Sequence, residues 1–212
     1  MNKKGFFISF EGTDGCGKGT QIEKLKKYFE ENNIDAVFTR EPGGVETADK
    51  IRTFVKDPLN SDIDELSDFL LISAGRNLHV KQKIKPALEQ GKIVVTDRYV
   101  DSCYAYQGYA GGLDLEFIKP ITMQVIQGIM PDITFFLSLD ASASLERNKG
   151  LDDKVDKFEL KGISFQEKVR NGFFEMVKNE PNRWVVIDAT LSREEIFDII
   201  IQELKNRGVI EC

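Results

Sequence analysis

The sequence predicts an α/β protein built on a doubly wound, five-stranded parallel sheet flanked by helices. Three observations predict it. Five short apolar runs, rich in branched and aromatic residues, alternate with stretches of helical periodicity along the 212 residues. The runs are close to continuously apolar, so they read as strands buried on both faces, as parallel strands under crossover helices are. Three of the five give way at once to unusual polar sequence, in EGTDGCGKGT, REPGG and DRYVDS. Folds of this class bind ligands beyond the carboxyl ends of their strands.

In chain order, Gly5 to Phe10 (GFFISF) is the first strand. Gly12, Thr13, Asp14, Gly15, Cys16, Gly17 and Lys18 follow it and open a helix, with the G-x-x-x-x-G-K spacing of a phosphate-binding loop. The glycines let backbone N–H groups turn inward around phosphate oxygens, the helix N-terminus adds partial positive charge, and Lys18 supplies a mobile cation. The strict motif has a hydroxyl residue directly after the lysine; here Gly19 intervenes and Thr20 comes next. Lys18 to Glu31 reads as a helix, with Ile22, Leu25 and Phe29 on one face. Ala36 to Thr39 is the second strand. Arg40 and Glu41 follow it before Pro42-Gly43-Gly44, which read alone is a turn with solvated charges.

A long helical stretch runs from about Asp64 to Gln90 and stops at Gly91. Arg76 lies in it, and its apolar neighbours Leu70, Leu71, Ile72 and Ala74 suggest a partly enclosed setting. His79, the single histidine, reads as an ordinary helix residue; with no GxSxG present, a hydrolase triad is excluded. Lys92 to Thr96 is the third strand. Asp97 at its tip suits Mg²⁺, and Arg98 is placed to grip an anionic phosphate bidentately. Asp101 to Gln107 supplies the hydroxyl, thiol, ring and amide groups of a nucleobase pocket. Leu113 to Gly128 reads as a helix kinked at Pro120, Ile133 to Leu139 as the fourth strand, and Ser164 to Lys178 as a helix. Arg183 to Ile187 is the fifth strand. Ser192 to Asn206 is the closing helix, with capping-box spacing between Ser192 and Glu195. Trp184 and the methionines read as core.

Composition excludes other classes. A hydrophobic fraction of 41% and a charged fraction of 30% suffice for a core without disulfides, in one domain over residues 1–212. A net charge of -6 argues against nucleic-acid or anionic-membrane partners and leaves local basic pockets for small anions. Cys16, Cys103 and Cys212 are scattered, which suits a reducing compartment. The first apolar run ends at Glu11, too soon for the core of a signal peptide, and no run approaches the roughly 20 residues of a membrane span. The expected address is the cytoplasm.

Together FEGTDGCGKGTQ, TREPGG, LLISAGR, DRYVDSCYAYQGYAGG, PDITFFLSLD and LERN, in that order over about residues 6–148, make the sequence resemble the thymidylate kinase family. DRYxDSxxAYQG with TREPGG is far more specific than the phosphate loop. The resemblance implies a P-loop NTPase fold, a mobile lid over about residues 148–161, a homodimer, and Mg²⁺-dependent phosphoryl transfer from ATP to dTMP. It implies that Lys18 and the loop from Gly12 to Thr20 hold ATP, with Arg147 near the start of the lid. Asp14 would approach the substrate sugar, and Arg40 and Arg98 would handle the monophosphate; with Lys18 these form the catalytic set. Arg76 would read the thymine edge, beside Ile72, Ser102, Cys103 and Gln107, while Tyr106 would disfavour a 2′-hydroxyl. Thr20 and Asp97 are the Mg²⁺ candidates. The chain departs from the family pattern at Ile72 (commonly Phe), Cys103 (usually Ser, Thr or Asn), Gly111 (often Arg) and Lys157 (often Arg). Two rivals stand beside this reading. Adenylate kinases share GKGTQ, but their DGYPR-like segment is absent. A non-catalytic nucleotide-binding regulator would not need Lys18, Arg40, Asp97 and Arg98 together.

Overall fold

The apolar runs do form five strands: β1 (Phe6–Glu11), β2 (Ala36–Arg40), β3 (Ile93–Asp97), β4 (Ile133–Ser138) and β5 (Trp184–Asp188). In the computed structural model, which describes residues 5–148 and 157–211, all five lie parallel in one sheet of order β2-β3-β1-β4-β5. The chain leaves β1 toward β2 and β3 on one side, then crosses to β4 and β5 on the other. The end of β1 is therefore the topological switch point, where a crevice opens.

Period-two alternation sends neighbouring residues to opposite faces, and both faces are apolar. Phe7, Val94, Phe136 and Trp184 face one core; Ile8, Phe10, Val95, Phe135 and Leu137 face the other. α1 (Lys18–Glu31) and α9 (Arg193–Asn206) cover the second face through Ile22, Leu25 and Phe29, and Ile196, Ile200 and Leu204. The first face is covered by α3 (Glu65–His79), α5 (Val100–Cys103), α6 (Leu115–Val125) and α8 (Gly162–Asn179). Only the inner strands β1, β3 and β4 are buried on both faces; β2 and β5 are half-exposed edges, which the run pattern alone did not distinguish.

Local chemistry sets the helix ends. Asp64 caps α3 by accepting from the Ser67 N–H, and Asp114 caps α6 through the Glu116 N–H. The expected capping box of Ser192 and Glu195 is present at α9. The long helical stretch is α3, a π-helical turn over Val80–Ile84, and α4 (Lys85–Glu89). Pro120 lies inside α6 without ending it. α2 (Glu46–Lys56) has no expected counterpart, because its apolar Ala48, Ile51 and Val55 are sparse among charges. α7 (Ala141–Asn148) leads to residues 149–156, so most of the expected lid lies outside the described residues. Trp184 and Met176 are core as expected, but Met123 is exposed.

Candidate active site

The phosphate loop sits on the switch point. Gly12 has φ 142, and a Cβ there would lie 2.6 Å from the Leu137 carbonyl oxygen of β4, so only glycine lets the loop pass. α1 then opens at Gly17 (φ 98) with no side-chain cap and no acidic residue in its first turn. Its free N–H groups and positive dipole end are left for an anion. Lys18 is buried and folds back, donating to the carbonyls of Gly12 (3.1 Å) and Thr13 (2.9 Å), with Cys16 Sγ at 3.7 Å. Ser144, from α7, braces the loop against Thr13 Oγ1 (2.8 Å) and the Asp14 carbonyl.

A cleft of about 870 Å³ runs along the carboxyl ends of the strands. Asp14, Gly15, Cys16, Gly17, Lys18, Gly19 and Thr20 line it; Gly12 and Thr13 shape the loop from behind. Arg40, Ile72, Arg76, Asp97, Arg98, Ser102, Cys103, Tyr106, Gln107 and Arg147 line it too, so the tertiary fold gathers these residues from six segments. Strand register explains part of this: Asp97 pairs with Arg40 on one side and Phe10 on the other. The cleft is locally basic in an acidic chain. Arg52 and Lys56, one helical turn apart on α2, and Arg193 at the start of α9 add to its cations, and none of the three was expected.

Arg98 is the hub. Its Nη2 meets Asp14 Oδ1 (2.8 Å) and Tyr106 Oη (3.2 Å), its Nη1 donates to Ser102 Oγ (3.0 Å), and its guanidinium lies 5.1 Å from the centroid of the Tyr106 ring. Burial pushes the Asp14 carboxyl up, but Arg98 and then Lys18 outweigh it and hold Asp14 well below the usual carboxylate range. Arg40 is exposed at the rim and paired with Asp49 (3.1 Å). Arg147 donates to the Ala189 carbonyl (2.9 Å), which ties α7 to the loop after β5.

The end of the cleft next to α3 corrects the sequence reading. Glu41 is not a solvated turn residue, and His79 is not an ordinary helix residue. Both are buried, and Glu41 accepts from Arg76 Nε (2.6 Å) while its other oxygen lies 3.0 Å from His79 Nδ1. His79 Nε2 meets Thr39 Oγ1 (2.7 Å). Burial raises Glu41, but Arg76 and His79 overcome that and depress its carboxyl. Arg76 also donates to the Tyr99 carbonyl (3.3 Å), which leaves Nη1 buried without a hydrogen-bond partner among the described residues. A buried donor left open in this way is a demand for a ligand acceptor. Of the neighbours taken to enclose Arg76, Ile72 is buried, whereas Leu70 and Ala74 are exposed.

A family model described as "Thymidylate kinase" matches residues 10–200. The chain belongs to the thymidylate kinase family. It is 42% identical over 204 residues to a thymidylate kinase of Halothermothrix orenii, covering 95% of this chain and 97% of that one. It is 42% identical over 198 residues to one from Dehalococcoides mccartyi (93% and 94% covered). A crystal structure of thymidylate kinase from Ehrlichia chaffeensis superposes with a TM-score of 0.75 at 34% identity, covering 95% of this chain and 99% of that one. The expected α/β P-loop fold and dTMP kinase activity therefore hold, and the adenylate kinase and regulator readings fall away.

The departures from the thymidylate kinase pattern have distinct settings. Ile72 and Cys103 both line the cleft, and burial pushes the Cys103 thiol up. At Gly111 a Cβ would come within 2.7 Å of the Gln107 carbonyl oxygen, so the segment is packed around a glycine. Lys157 does not line the cleft. It is buried against Asp68 (2.7 Å) on α3, next to Phe158, which stacks edge-on against Tyr106. There it anchors the segment after residue 156 to α3.

Proposed function

We propose that this thymidylate kinase transfers the γ-phosphoryl group of Mg·ATP to dTMP, with Lys18 and the loop backbone on the donor phosphates and Arg98 and Arg40 on the acceptor phosphate. The position of Asp14 carries this reading. It is bonded to Arg98 and lies in the field of Lys18, so the two phosphate-binding cations converge on one carboxylate in one cleft. Donor and acceptor phosphates would meet there. Arg147, Ala189 and Arg193 would receive the rest of ATP, and Ile72, Arg76, Cys103 and Gln107 the base, with Tyr106 and Asp14 at the sugar.

Phosphoryl transfer has a loose transition state, so the protein's task is to position groups and neutralise charge. The attacking phosphate oxygen is already ionised near neutral pH, its second pKa being about 6. No strong general base is needed, in keeping with a sole histidine that is held by Glu41 and Thr39. Asp14 stays ionised and keeps the Arg98 fork aimed along the cleft. Arg76, neutralised on one side by Glu41, offers Nη1 to a carbonyl of the base. Among the described residues, no group of three or more His, Cys, Asp or Glu side chains is placed to hold a metal. The fit is to a Mg²⁺ that arrives with the nucleotide: Asp97 has a buried Oδ1 without a partner among the described residues, and Thr20 offers an exposed hydroxyl. Bound there, Mg²⁺ would offset charge on the β- and γ-phosphates.

The chain reads as one domain with a lid over about residues 148–161. A homodimer is supported by exposed Leu66 and Leu70 on α3 and Phe117 and Met123 on α6, helices that pack together. A cytoplasmic address is supported by the free, buried Cys16 and Cys103. No described helix is long and apolar enough to cross a membrane. Steady-state assays with ATP, Mg²⁺ and a panel of monophosphates test the proposal. Formation of ADP and dTDP is expected, and equal or better turnover of AMP or CMP would overturn it.

A further inference from the structure

Glu11, the last residue of β1, takes no part in the chemistry above. It is fully buried behind the cleft, and both of its oxygens are committed. Oε1 accepts from the Tyr99 N–H (2.7 Å) and Oε2 lies 2.5 Å from Ser102 Oγ, the hydroxyl that also accepts from Arg98 Nη1. Arg98 has φ 65, in the left-handed region that side-chain-bearing residues avoid, so its turn must be held from outside. β1 does most of the holding, as Phe10 O accepts from the Arg98 N–H (2.9 Å) and Glu11 takes the next N–H, while Thr96 Oγ1 at the end of β3 donates to the Arg98 carbonyl (2.9 Å).

We propose that Glu11 is a positioning residue for the acceptor phosphate, a buried carboxyl that fixes Arg98 through Tyr99 and Ser102. This rests on the assignment of Arg98 to the dTMP phosphate. The charged groups around Glu11 are otherwise matched. Asp101 on α5 is held by both Nη atoms of Arg183 (2.7 and 2.9 Å), Asp14 of the phosphate loop is held by Arg98, and Cys103 on α5 has its thiol pushed up by burial. Among the described residues, Glu11 forms no ion pair, Arg98 being paired with Asp14. Burial first, then the Asp101 charge, push its carboxyl up to about 8 against the opposing pull of Arg98. Ser102 serves either state, donating to the carboxylate or accepting from the acid. The neutral form leaves the charge of Arg98 free for phosphate, and an incoming dianion opposes ionisation of Glu11 further.

Above pH 8, binding of dTMP therefore takes up a proton at Glu11, and affinity falls with rising pH. Titration calorimetry with dTMP on the full-length protein at pH 7 and pH 9, and at pH 8.5 in two buffers of different ionisation enthalpy, tests this. In the wild type the dTMP Kd is expected to rise by up to about tenfold per pH unit above the titration of Glu11, with proton uptake. In Glu11→Gln, which keeps an acceptor for the Tyr99 N–H, the rise should shrink to under about twofold and the uptake should vanish. Glu11→Ala, if folded, should raise KM for dTMP with little change in ATP affinity. Parallel pH profiles and equal proton uptake in the wild type and Glu11→Gln would overturn the inference. If the wild type does not bind dTMP, or Arg98→Ala binds it equally well, the site assignment itself has failed instead.

Discussion

Removing the Glu41 carboxylate should destabilise the protein far more than an average substitution does. Glu41, Arg76 and His79 are each no more than 3% exposed, and Glu41 is the partner of both of the others. Among the described residues, Glu41→Ala leaves the buried guanidinium a 3.3 Å bond to the Tyr99 carbonyl, and Nη1 already lacks a partner. Breaking a buried pair from one side costs about 3–5 kcal/mol, because the surviving charge stays desolvated. For a chain of this length, that corresponds to a fall in Tm of roughly 6–20 °C. The control is Glu41→Leu with Arg76→Met, which removes both charges and refills the volume. It should recover most of the stability while dTMP affinity stays low. The pH dependence has a definite sign. A carboxyl depressed in the folded state contributes stability above its unfolded pKa of about 4.5 and loses it as pH falls through the lower folded value. The stability gap between wild type and Glu41→Gln should accordingly narrow as pH drops below about 4.5. Urea unfolding at pH 7 and pH 4 measures all of this. A loss of under about 1 kcal/mol in Glu41→Ala, or a double variant no more stable than the single, would refute the reasoning.

Three further outcomes are expected. Lys18→Ala should lower turnover by roughly 10²-fold or more with little change in thermal unfolding, because its bonds to the Gly12 and Thr13 carbonyls and to Cys16 Sγ all stay within the loop; near-normal turnover would remove the loop from the mechanism. Arg98→Ala should raise KM for dTMP and reduce turnover while ATP affinity stays nearly constant, which calorimetry with each nucleotide separately measures. Equal losses for both nucleotides would mean that the two subsites are wrongly divided. Ile72→Phe with Cys103→Ser should tighten dTMP binding by about 1–3 kcal/mol, by analogy with base stacking on an aromatic ring. No gain, or a loss, would show that these two side chains are adapted to the base in another way.

Much of the fold is local and was legible. Apolar runs, a glycine loop between strand and helix, and a capping box each depend on neighbours in sequence, so strand number, most helices and the phosphate loop could be read directly. α2 could not, because only three of its apolar positions meet the core and charges hide them. Its cations Arg52 and Lys56 were missed with it. The candidate site divides in the same way. Residues that carry their chemistry in a motif, such as Lys18, Asp14, Arg98 and Arg76, were named from sequence, and all of them line one cleft.

What the sequence by itself determined is which groups are present and on which element each one rides. What only the tertiary structure decided is the charge environment of the buried ones. Glu11, Glu41 and His79 look like ordinary polar residues in the chain. Glu41 acquires Arg76 from 35 positions away and Glu11 acquires Ser102 from 91 positions away only when parallel strands bring their carboxyl ends to one edge. Burial makes a carboxyl costly to ionise, and distant partners decide whether that cost is met, as it is for Glu41, or left standing, as it is for Glu11. Neither burial nor a long-range partner is a property of sequence spacing, so no reading of the chain alone could distinguish them.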